Sequence, residues 1–232
     1  MLTRPREDSE RTARELLSRG DEAVIAPLFE ITFMDVPEPP LEGVQAVLAT
    51  SSNGVRALAR RSPRRDIPVF AVGTQSAVTA ALEGFRFIRN AEGDAAALAS
   101  LVQTELRPDS GALLHATGTN VSPALSAGLR EAGFEIRSCV LYGIIEADKL
   151  PDAAVEALRS GQLDAVLIYS PRSARLFADL VKKAGLAANC GRLIACCISS
   201  ETSAPFDGLA FADIRIAASP DQDSLLALLG GY

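Results

Sequence analysis

One segment of the chain occurs twice, and this repetition constrains the fold more than any other feature of the sequence. AVLATSSNGVRAL spans Ala46–Leu58 and AVLIYSPRSARLF spans Ala165–Phe177, an offset of 119 residues. Each copy has four or five apolar residues, a short turn rich in hydroxyl groups and then a helical pattern, which predicts a buried strand followed by a helix. A chain that repeats such a unit is expected to contain two similar lobes.

Two further matches indicate how the chain divides between these lobes. Ala71–Val78 (AVGTQSAV) resembles Cys197–Ala204 (CISSETSA), so two consecutive strand–turn–helix units recur in the same order. A third match is permuted, because Leu113–Ile136 resembles Leu2–Ile25 at the start of the chain, and alignment of Gly133 with Gly20 gives an offset of 113 residues. The unit that comes last in one copy thus comes first in the protein, which requires one lobe to be inserted into the other.

The permutation predicts the boundaries of the lobes. Residues 40–139 are expected to form a continuous inserted lobe, and residues 1–31 with residues 150–232 a discontinuous one. The chain must then cross between the lobes twice, through residues 32–39 and 140–149. The segments around these crossings alternate, are rich in apolar residues and end in proline, so we predict two antiparallel hinge strands about which the lobes move.

Strands alternate with helices along the whole chain, and this order predicts parallel sheets with right-handed crossovers. The predicted fold class is α/β, with two flavodoxin-like lobes of parallel sheet joined by a two-stranded β-ladder. Short strands are expected at residues 1–4 and 23–26. Further strands, each followed by a helix of about ten residues, are expected at Val44–Thr50, Val69–Gly73, Gly111–Ala116, Asp164–Tyr169, Leu193–Ser199 and Asp213–Ala217.

Hydroxyl groups, glycine and asparagine dominate the turns after these strands. Ligands of parallel α/β sheets bind beyond the carboxyl ends of the strands, and helix amino ends at this edge bind anions through backbone N–H groups. The same residue types cap helices, which accounts for part of the pattern. The sequence predicts a site for a ligand with several carboxylates or phosphates, formed by Thr3, Arg4, Pro5, Ser51, Ser52, Asn53, Gly73, Thr74, Ser76, Gly118, Thr119, Asn120, Ser170, Pro171, Arg172, Ser199, Ser200 and Thr202.

Composition argues against several other classes of protein. A formal net charge of −6 and few aromatic residues disfavour nucleic-acid binding. With one histidine, His115, and four cysteines expected to be buried, we predict no metal site. The glycine pattern of dinucleotide sites and the P-loop lysine are missing, so no cofactor is predicted. No apolar run reaches membrane-spanning length and the start has no apolar signal segment, so a cytoplasmic location is expected.

The turn segments together resemble those of the uroporphyrinogen-III synthases, the family that closes the macrocycle in tetrapyrrole biosynthesis. The similar segments occur in the expected order along essentially the whole chain: LTRP, ATSSNGVRAL, AVGTQSA, VLYGIIEA, YSPRSARLF and CISSETSA. The resemblance implies two α/β lobes joined by a two-stranded ladder, in agreement with the topology inferred from the permutation. It also implies a lyase of heme and porphyrin biosynthesis that needs no metal and no organic cofactor.

The resemblance further implies a reaction and a catalytic residue. Linear hydroxymethylbilane loses its terminal hydroxyl as water, closes to a ring and inverts its fourth pyrrole, which gives uroporphyrinogen III. Tyr142 matches the position of a functionally favoured tyrosine of the family, and its phenol is suited to protonate the departing hydroxyl. The alternative role of Tyr142 is that of a hinge residue with a packed ring and a solvated hydroxyl.

Three segments of the sequence depart from the family pattern, and two other functions are alternatives. Ser199 stands where glycine is frequent, Gly143 where a charged residue is common, and Ser51–Asn53 where Ser-Pro is usual. The alternative function is a hinged binding protein or sensor, not an enzyme, for a small polyanion, while a nicotinamide-dependent oxidoreductase is disfavoured by the missing glycine pattern. The expected partner is a linear tetrapyrrole with multiple carboxylates, without nucleic acid or membrane, and a monomer is expected.

Overall fold

The computed structural model of the protein describes residues 1–120, 122–206 and 208–230, and the chain divides into two compact units. Ile31–Ile144 forms one, called the inserted unit below, and Met1–Glu30 with Ile145–Tyr232 forms the other, the discontinuous unit. The predicted end of the discontinuous lobe, Tyr232, lies outside the described residues. Each unit contains parallel strands connected by helices, as the α/β prediction requires.

The inserted unit is organised around a sheet with the strand order β1-β6-β5-β2-β3-β4. The strands are β1 (Phe29–Phe33), β2 (Val44–Ala49), β3 (Val69–Ala71), β4 (Ile88–Asn90), β5 (Ala112–Gly118) and β6 (Ile136–Glu146), and β1 and β6 extend beyond the bounds of the unit. The helices are α2 (Ser52–Arg61), α3 (Thr74–Leu82), α4 (Ala95–Glu105) and α5 (Ala124–Glu131). Val47 and Leu114 belong to one core cluster and Leu48 and Leu113 to another, so the two faces of the sheet are both buried.

The discontinuous unit has a smaller parallel sheet in the order β7-β8-β9. Its strands are β7 (Ala165–Ile168), β8 (Ile194–Cys197) and β9 (Asp213–Ile216). Its helices are α1 (Arg6–Ser18), α6 (Asp152–Ser160), α7 (Pro171–Lys183), α8 (Ser200–Ser203) and α9 (Gln222–Ala227). Leu2 continues the parallel pairing through single bridges to Leu167 and to Ile25.

The backbone pairing of the two units follows the permuted repeat. In the discontinuous unit Leu2 lies between Ile25 and Leu167. In the inserted unit His115 lies in the same way between Ser138 and Leu48. These residues are related by the offsets of the sequence matches, 113 and 119 residues, and all the pairings are parallel. The repetition in the sequence therefore corresponds to one strand arrangement formed twice.

β1 and β6 are neighbours in the sheet and run in opposite directions. Within the inserted unit the Met34 N–H donates to the Leu141 carbonyl over 2.9 Å, and within the discontinuous unit the Ala147 N–H donates to the Leu28 carbonyl over 3.0 Å. As the residue number falls along one strand it rises along the other, which is the pattern of an antiparallel pair. The strands cover residues 29–33 and 136–146 where the sequence predicted connections at residues 32–39 and 140–149.

Three sequence predictions of secondary structure need correction. Residues 1–4 and 23–26 form only the bridges at Leu2 and Ile25 and no longer strands. The helix expected after β8 is the single turn α8, because Pro205 follows closely and lacks the N–H that a continuing helix requires. β4 was not predicted, since three residues are too few to show a period. Among the described helices, none has both the length and the apolar character to cross a membrane.

Candidate functional site

The first group of predicted site residues lies where β2 gives way to α2 in the inserted unit. Ser51 is the N-cap of α2, and its hydroxyl oxygen accepts the backbone N–H of Gly54 over 3.1 Å. Ser52 is buried, and the Asn53 side-chain oxygen accepts a hydrogen bond of 3.0 Å from Arg56. Asn53 is thus already engaged within its own helix, whereas Ser51 has a second polar neighbour.

That second neighbour of Ser51 is Tyr142, which comes from β6. The Tyr142 hydroxyl lies 2.8 Å from the Ser51 hydroxyl, although the two residues are 91 positions apart in the chain. Tyr142 is only 7% exposed, so its ring is packed and its position is fixed. The ring is packed, as the alternative role of Tyr142 requires, and its hydroxyl contacts the capping serine of a helix.

Gly118 faces the Tyr142 ring from the end of β5. A Cβ atom at position 118 would lie 2.7 Å from two ring carbons of Tyr142 and 3.1 Å from its hydroxyl oxygen. Next along the chain, the Thr119 N–H donates to the Tyr142 carbonyl over 3.0 Å. The structure therefore brings Ser51, Gly118 and Tyr142 together, and glycine at 118 is needed so that the ring can reach the serine.

The other predicted residues of the inserted unit surround this group along the same edge. Gly73 is the N-cap of α3 and has no side chain to bond to the first turn of that helix. The Thr74 hydroxyl accepts a hydrogen bond of 3.2 Å from Asn90, while Ser76 is buried in the helix. Asn120 is exposed beyond β5. The amino end of α3 and the residues after β5 therefore lie at the carboxyl edge of the sheet, as predicted from their positions after strands.

In the discontinuous unit Ser170 repeats the part that Ser51 plays. It is the N-cap of α7, and its hydroxyl oxygen accepts the Ser173 N–H over 3.1 Å and lies 2.8 Å from the Ser173 hydroxyl. Pro171 fills the first helical position, where its missing N–H costs no hydrogen bond. The Arg172 side chain donates to Glu146 over 2.8 Å and stands over the Phe29 ring at 5.2 Å, so it contacts the ends of both β6 and β1.

Ser199 begins the short helix α8. Its hydroxyl lies 3.0 Å from that of Thr202, which is 0% exposed, and Ser200 beside them is exposed. Because the Thr202 side chain is fully buried, direct contact with a ligand would require α8 to move. Ser199 and Ser200 remain the accessible members of the predicted SSETS group.

The amino-terminal group, Thr3 to Pro5, lies at the same edge of the discontinuous unit. Thr3 is buried, and its hydroxyl donates to the Leu167 carbonyl over 2.9 Å, which ties this segment to β7. Arg4 donates to Asp8 over 3.0 Å and stands over the ring of Tyr169. Pro5 is the N-cap of α1. Thr3 therefore connects the amino-terminal segment to β7, and Arg4 places a positive charge at this edge.

His115 lies in the core of the inserted unit and connects two hydroxyl groups. Its Nε2 is 3.2 Å from the Thr50 hydroxyl and its Nδ1 is 3.1 Å from the Ser126 hydroxyl. Burial, with a smaller contribution from the charge of Arg130, lowers the pKa of His115 from 6.5 to about 4. The imidazole is therefore neutral at pH 7 and serves as a buried, hydrogen-bonded part of the core.

The cysteines also behave as packing residues. Cys190, Cys196 and Cys197 are buried, and burial raises the pKa of their thiols to about 11, 11 and 12. Within the described ranges, no three or more His, Cys, Asp or Glu side chains are grouped so that they could hold a metal ion. The polar groups described at the two sheet edges thus include hydroxyls, helix amides, side-chain amides, Tyr142, Arg4 and Arg172.

Several residues that contact the predicted site residues were not themselves predicted from the sequence. Ser173 could have been found, because it stands three positions after the capping Ser170, where the capped amide must lie. Tyr169 directly precedes Ser170 in the turn after β7 but was not among the predicted site residues. Glu146, the partner of Arg172, gave no signal, since ion pairs between distant segments leave no local pattern.

We expect Ser170→Ala to lower the free energy of unfolding by about 1 kcal/mol, because the Ser173 N–H loses its partner at the start of α7. Ser170→Asn is the matched control, since asparagine caps helices about as well as serine. Chemical denaturation of the three proteins measures the difference. Equal losses for alanine and asparagine would contradict a capping role for Ser170.

Comparison with known proteins identifies the same family that the turn segments resemble. The family model described as uroporphyrinogen-III synthase HemD matches residues 10–227. No curated protein is similar enough to be matched.

The solved structures that are similar over most of the chain include two uroporphyrinogen-III synthases. The uroporphyrinogen-III synthetase of Helicobacter pylori is 16% identical with a TM-score of 0.61, and the match covers 90% of this chain and 92% of that one. A mutant uroporphyrinogen III synthase of the extremely thermophilic bacterium Thermus thermophilus is 18% identical with a TM-score of 0.53, covering 98% of this chain and 96% of that one. At such low identity these structures support the fold.

Proposed function

The chain belongs to the uroporphyrinogen-III synthase family, and we propose that it performs the family's reaction with Tyr142 as proton donor and helix amino ends as carboxylate-binding groups. The substrate is hydroxymethylbilane, a linear tetrapyrrole with multiple carboxylates, and the product is uroporphyrinogen III. The enzyme is of the lyase type, and because the reaction releases water we assign it to the hydro-lyases. The observation that supports the site most strongly is the 2.8 Å contact between Tyr142 and the helix-capping Ser51.

The first chemical step is loss of the terminal hydroxyl of the bilane. The carbon–oxygen bond breaks, the Tyr142 proton moves to the departing oxygen, and water, an electron-poor azafulvenium cation and the Tyr142 phenolate result. Ser51 assists because its oxygen accepts the Gly54 N–H, and its own hydroxyl proton is able to donate to the Tyr142 oxygen 2.8 Å away. The phenolate that forms is stabilised by this hydrogen bond and by the positive end of α2.

The second step is ring closure. The α-carbon of the fourth pyrrole that already carries the bridge to the third ring attacks the azafulvenium carbon and forms a new carbon–carbon bond. The bond from that α-carbon to the bridge of the third ring then breaks, and the released bridge carbon bonds to the free α-carbon of the fourth pyrrole. That α-carbon loses its proton, which the Tyr142 phenolate takes back, so the fourth ring is inverted. The tyrosine is then restored, and the net change is loss of one water and inversion of the fourth ring. The chain's own residues thus supply the proton for the leaving group and take one back.

Binding of the substrate is distributed over many weak groups. The amino ends of α2 and α3 in the inserted unit and of α7 in the discontinuous unit offer backbone N–H groups at the carboxyl edges of their sheets. Arg4 and Arg172 add positive charge at the edge of the discontinuous unit. A neutral hydrogen bond contributes about 0.5–1.5 kcal/mol, so loss of one hydroxyl is expected to weaken binding only severalfold.

The test supplies hydroxymethylbilane to the purified protein and separates the isomers that form. Without catalysis the bilane closes to uroporphyrinogen I, whereas the proposed activity gives isomer III. The alternative from the sequence, a hinged binding protein, is not favoured by the family match and would leave isomer I as the product. A monomeric state and a cytoplasmic location remain predictions from the sequence.

Removal of metal ions is expected to leave the activity unchanged. The proposed reaction uses a tyrosine proton and backbone amides, and neither step needs a Lewis acid. Protein treated with a chelator and then passed through a desalting column is compared with untreated protein at equal concentration. A loss of isomer III formation that Zn²⁺ or Mg²⁺ restores would contradict the proposed chemistry.

A further inference from the structure

Arg4 and Tyr169 form a stacked pair at the carboxyl edge of the discontinuous unit. Leu2 and Leu167 pair as parallel neighbours, so the residues that follow them emerge side by side at that edge. The Arg4 guanidinium carbon lies 4.7 Å from the centre of the Tyr169 ring, within the range of a cation–π contact. Because Ser170 comes next in the chain, the pair adjoins the amino end of α7.

Asp8 holds the same guanidinium from another side. Its Oδ2 accepts from Arg4 over 3.0 Å, and its Oδ1 accepts from Arg11 over 3.4 Å. The Asp8 side chain is 5% exposed, and that of Arg4 is 17% exposed. The guanidinium is therefore fixed on its face by Tyr169 and at Nη2 by Asp8, its Nη1 atom is buried, and the rest of the side chain supplies the exposed fraction.

The Tyr169 hydroxyl has a different status from its ring. Its oxygen is buried and makes no hydrogen bond to any described residue. Burial raises the pKa of Tyr169, and the nearby charge of Arg4 only partly offsets this. A buried hydroxyl without a partner contributes nothing that a phenyl ring would lack. The aromatic face, which meets Arg4, is the part of Tyr169 that serves the site.

We propose that Tyr169 is a positioning residue that orients the Arg4 guanidinium to bind a carboxylate of the tetrapyrrole. This inference rests on the proposed function and adds a residue to it. A guanidinium binds a carboxylate best through two parallel N–H groups, so its orientation determines the strength of the contact. Tyr169 and Asp8 set that orientation before the substrate arrives, which reduces the entropy lost on binding.

Two substitutions of Tyr169 test the inference. Tyr169→Leu removes the aromatic face and is expected to raise KM about fivefold, with kcat within about twofold of the wild type. Tyr169→Phe keeps the face and should restore the wild-type KM. Arg4→Leu removes the charge itself and should raise KM roughly 10- to 100-fold. In the Arg4→Leu background, Tyr169→Leu should then add less than about twofold, because it has no guanidinium left to position.

Phe85→Leu is the matched control. Arg65 stands over the Phe85 ring at 5.0 Å, but this pair precedes β4 and so lies at the opposite, amino end of its strand. Its loss should leave KM unchanged. An unchanged KM in Tyr169→Leu, an equal increase in Tyr169→Phe, or a full additional increase in the Arg4→Leu background would overturn the inference.

Equilibrium binding of uroporphyrinogen III distinguishes this inference from the function on which it rests. If the wild type binds the product but makes no isomer III, the proposed function fails, and the ratio of dissociation constants of Tyr169→Leu and wild type still tests the stacked pair. If the wild type makes isomer III and the ratio is one, only the role of Tyr169 fails. If the wild type neither binds nor reacts, both are overturned.

Discussion

Gly118→Ala is expected to lower kcat about 100-fold, and Tyr142→Phe is expected to lower it equally because it removes the same proton donor. The new methyl group would lie 2.7 Å from the Tyr142 ring, closer than packed atoms approach, so the ring must move. The 2.8 Å contact between Tyr142 and Ser51 is then lost, and with it the positioned proton. A general acid contributes typically about 10²–10⁴-fold, and we expect the lower end because water can partly replace a phenol. Steady-state rates of isomer III formation measure the effect.

Gly143→Ala is the control for this substitution. It adds the same methyl group one residue after Tyr142, but the nearest described atom, in the Thr119 side chain, is 4.0 Å from the new carbon. Its kcat should equal that of the wild type. In a Tyr142→Ala background, Gly118→Ala should have no further effect on kcat. A normal kcat for Gly118→Ala, with thermal unfolding unchanged, would mean that the position of the Tyr142 ring does not matter for catalysis.

Acidification is expected to destabilise the protein through His115. Its pKa is about 4 in the folded chain, where burial opposes the charged form, and about 6.5 when unfolded. Between these values His115 binds more protons in the unfolded chain than in the folded one. Its contribution to the free energy of unfolding therefore falls as the pH decreases from 6.5 to 4, and this contribution is constant above and below that range. The shift corresponds to a loss of about 3 kcal/mol at pH 4.

His115→Gln isolates this effect from that of other titrating groups. Glutamine can bond to Thr50 or Ser126 but does not titrate, so the difference between wild type and variant contains the contribution of His115 alone. Urea unfolding at several pH values should show the stability of the wild type falling toward that of the variant, or below it, as the pH drops to about 4. Parallel curves for the two proteins across this window would show that His115 is not buried as a neutral group.

The fold could be predicted from the sequence because each repeated segment contains a whole strand with the turn and the helix that follow it. An apolar segment such as Ala46–Ala49 can pack only inside a sheet covered on both faces, and its copy 119 residues later must do the same. The permuted match then left one way to connect the strands. The short elements could not be predicted, since α8 and β4 contain too few residues to show a period.

The candidate site was predictable only as a set of positions. N-caps such as Ser51 and Ser170 follow from the strand–turn–helix order. Which side chains meet depends on contacts between distant segments, such as Tyr142 with Ser51, that leave no local signal. The burial of Thr202 was missed for the same reason, because a residue in the first turn of a helix can point to the solvent or to the core.

The ratio of uroporphyrinogen III to uroporphyrinogen I is the measurement that tests this account most directly. Hydroxymethylbilane is given at equal concentration to the wild type, to Gly118→Ala and to a reaction without protein, and the isomers are separated at complete conversion. We predict that isomer III dominates with the wild type, that isomer I dominates without protein, and that Gly118→Ala gives mostly isomer I. The same isomer ratio with the wild type as without protein would contradict the proposed synthase function.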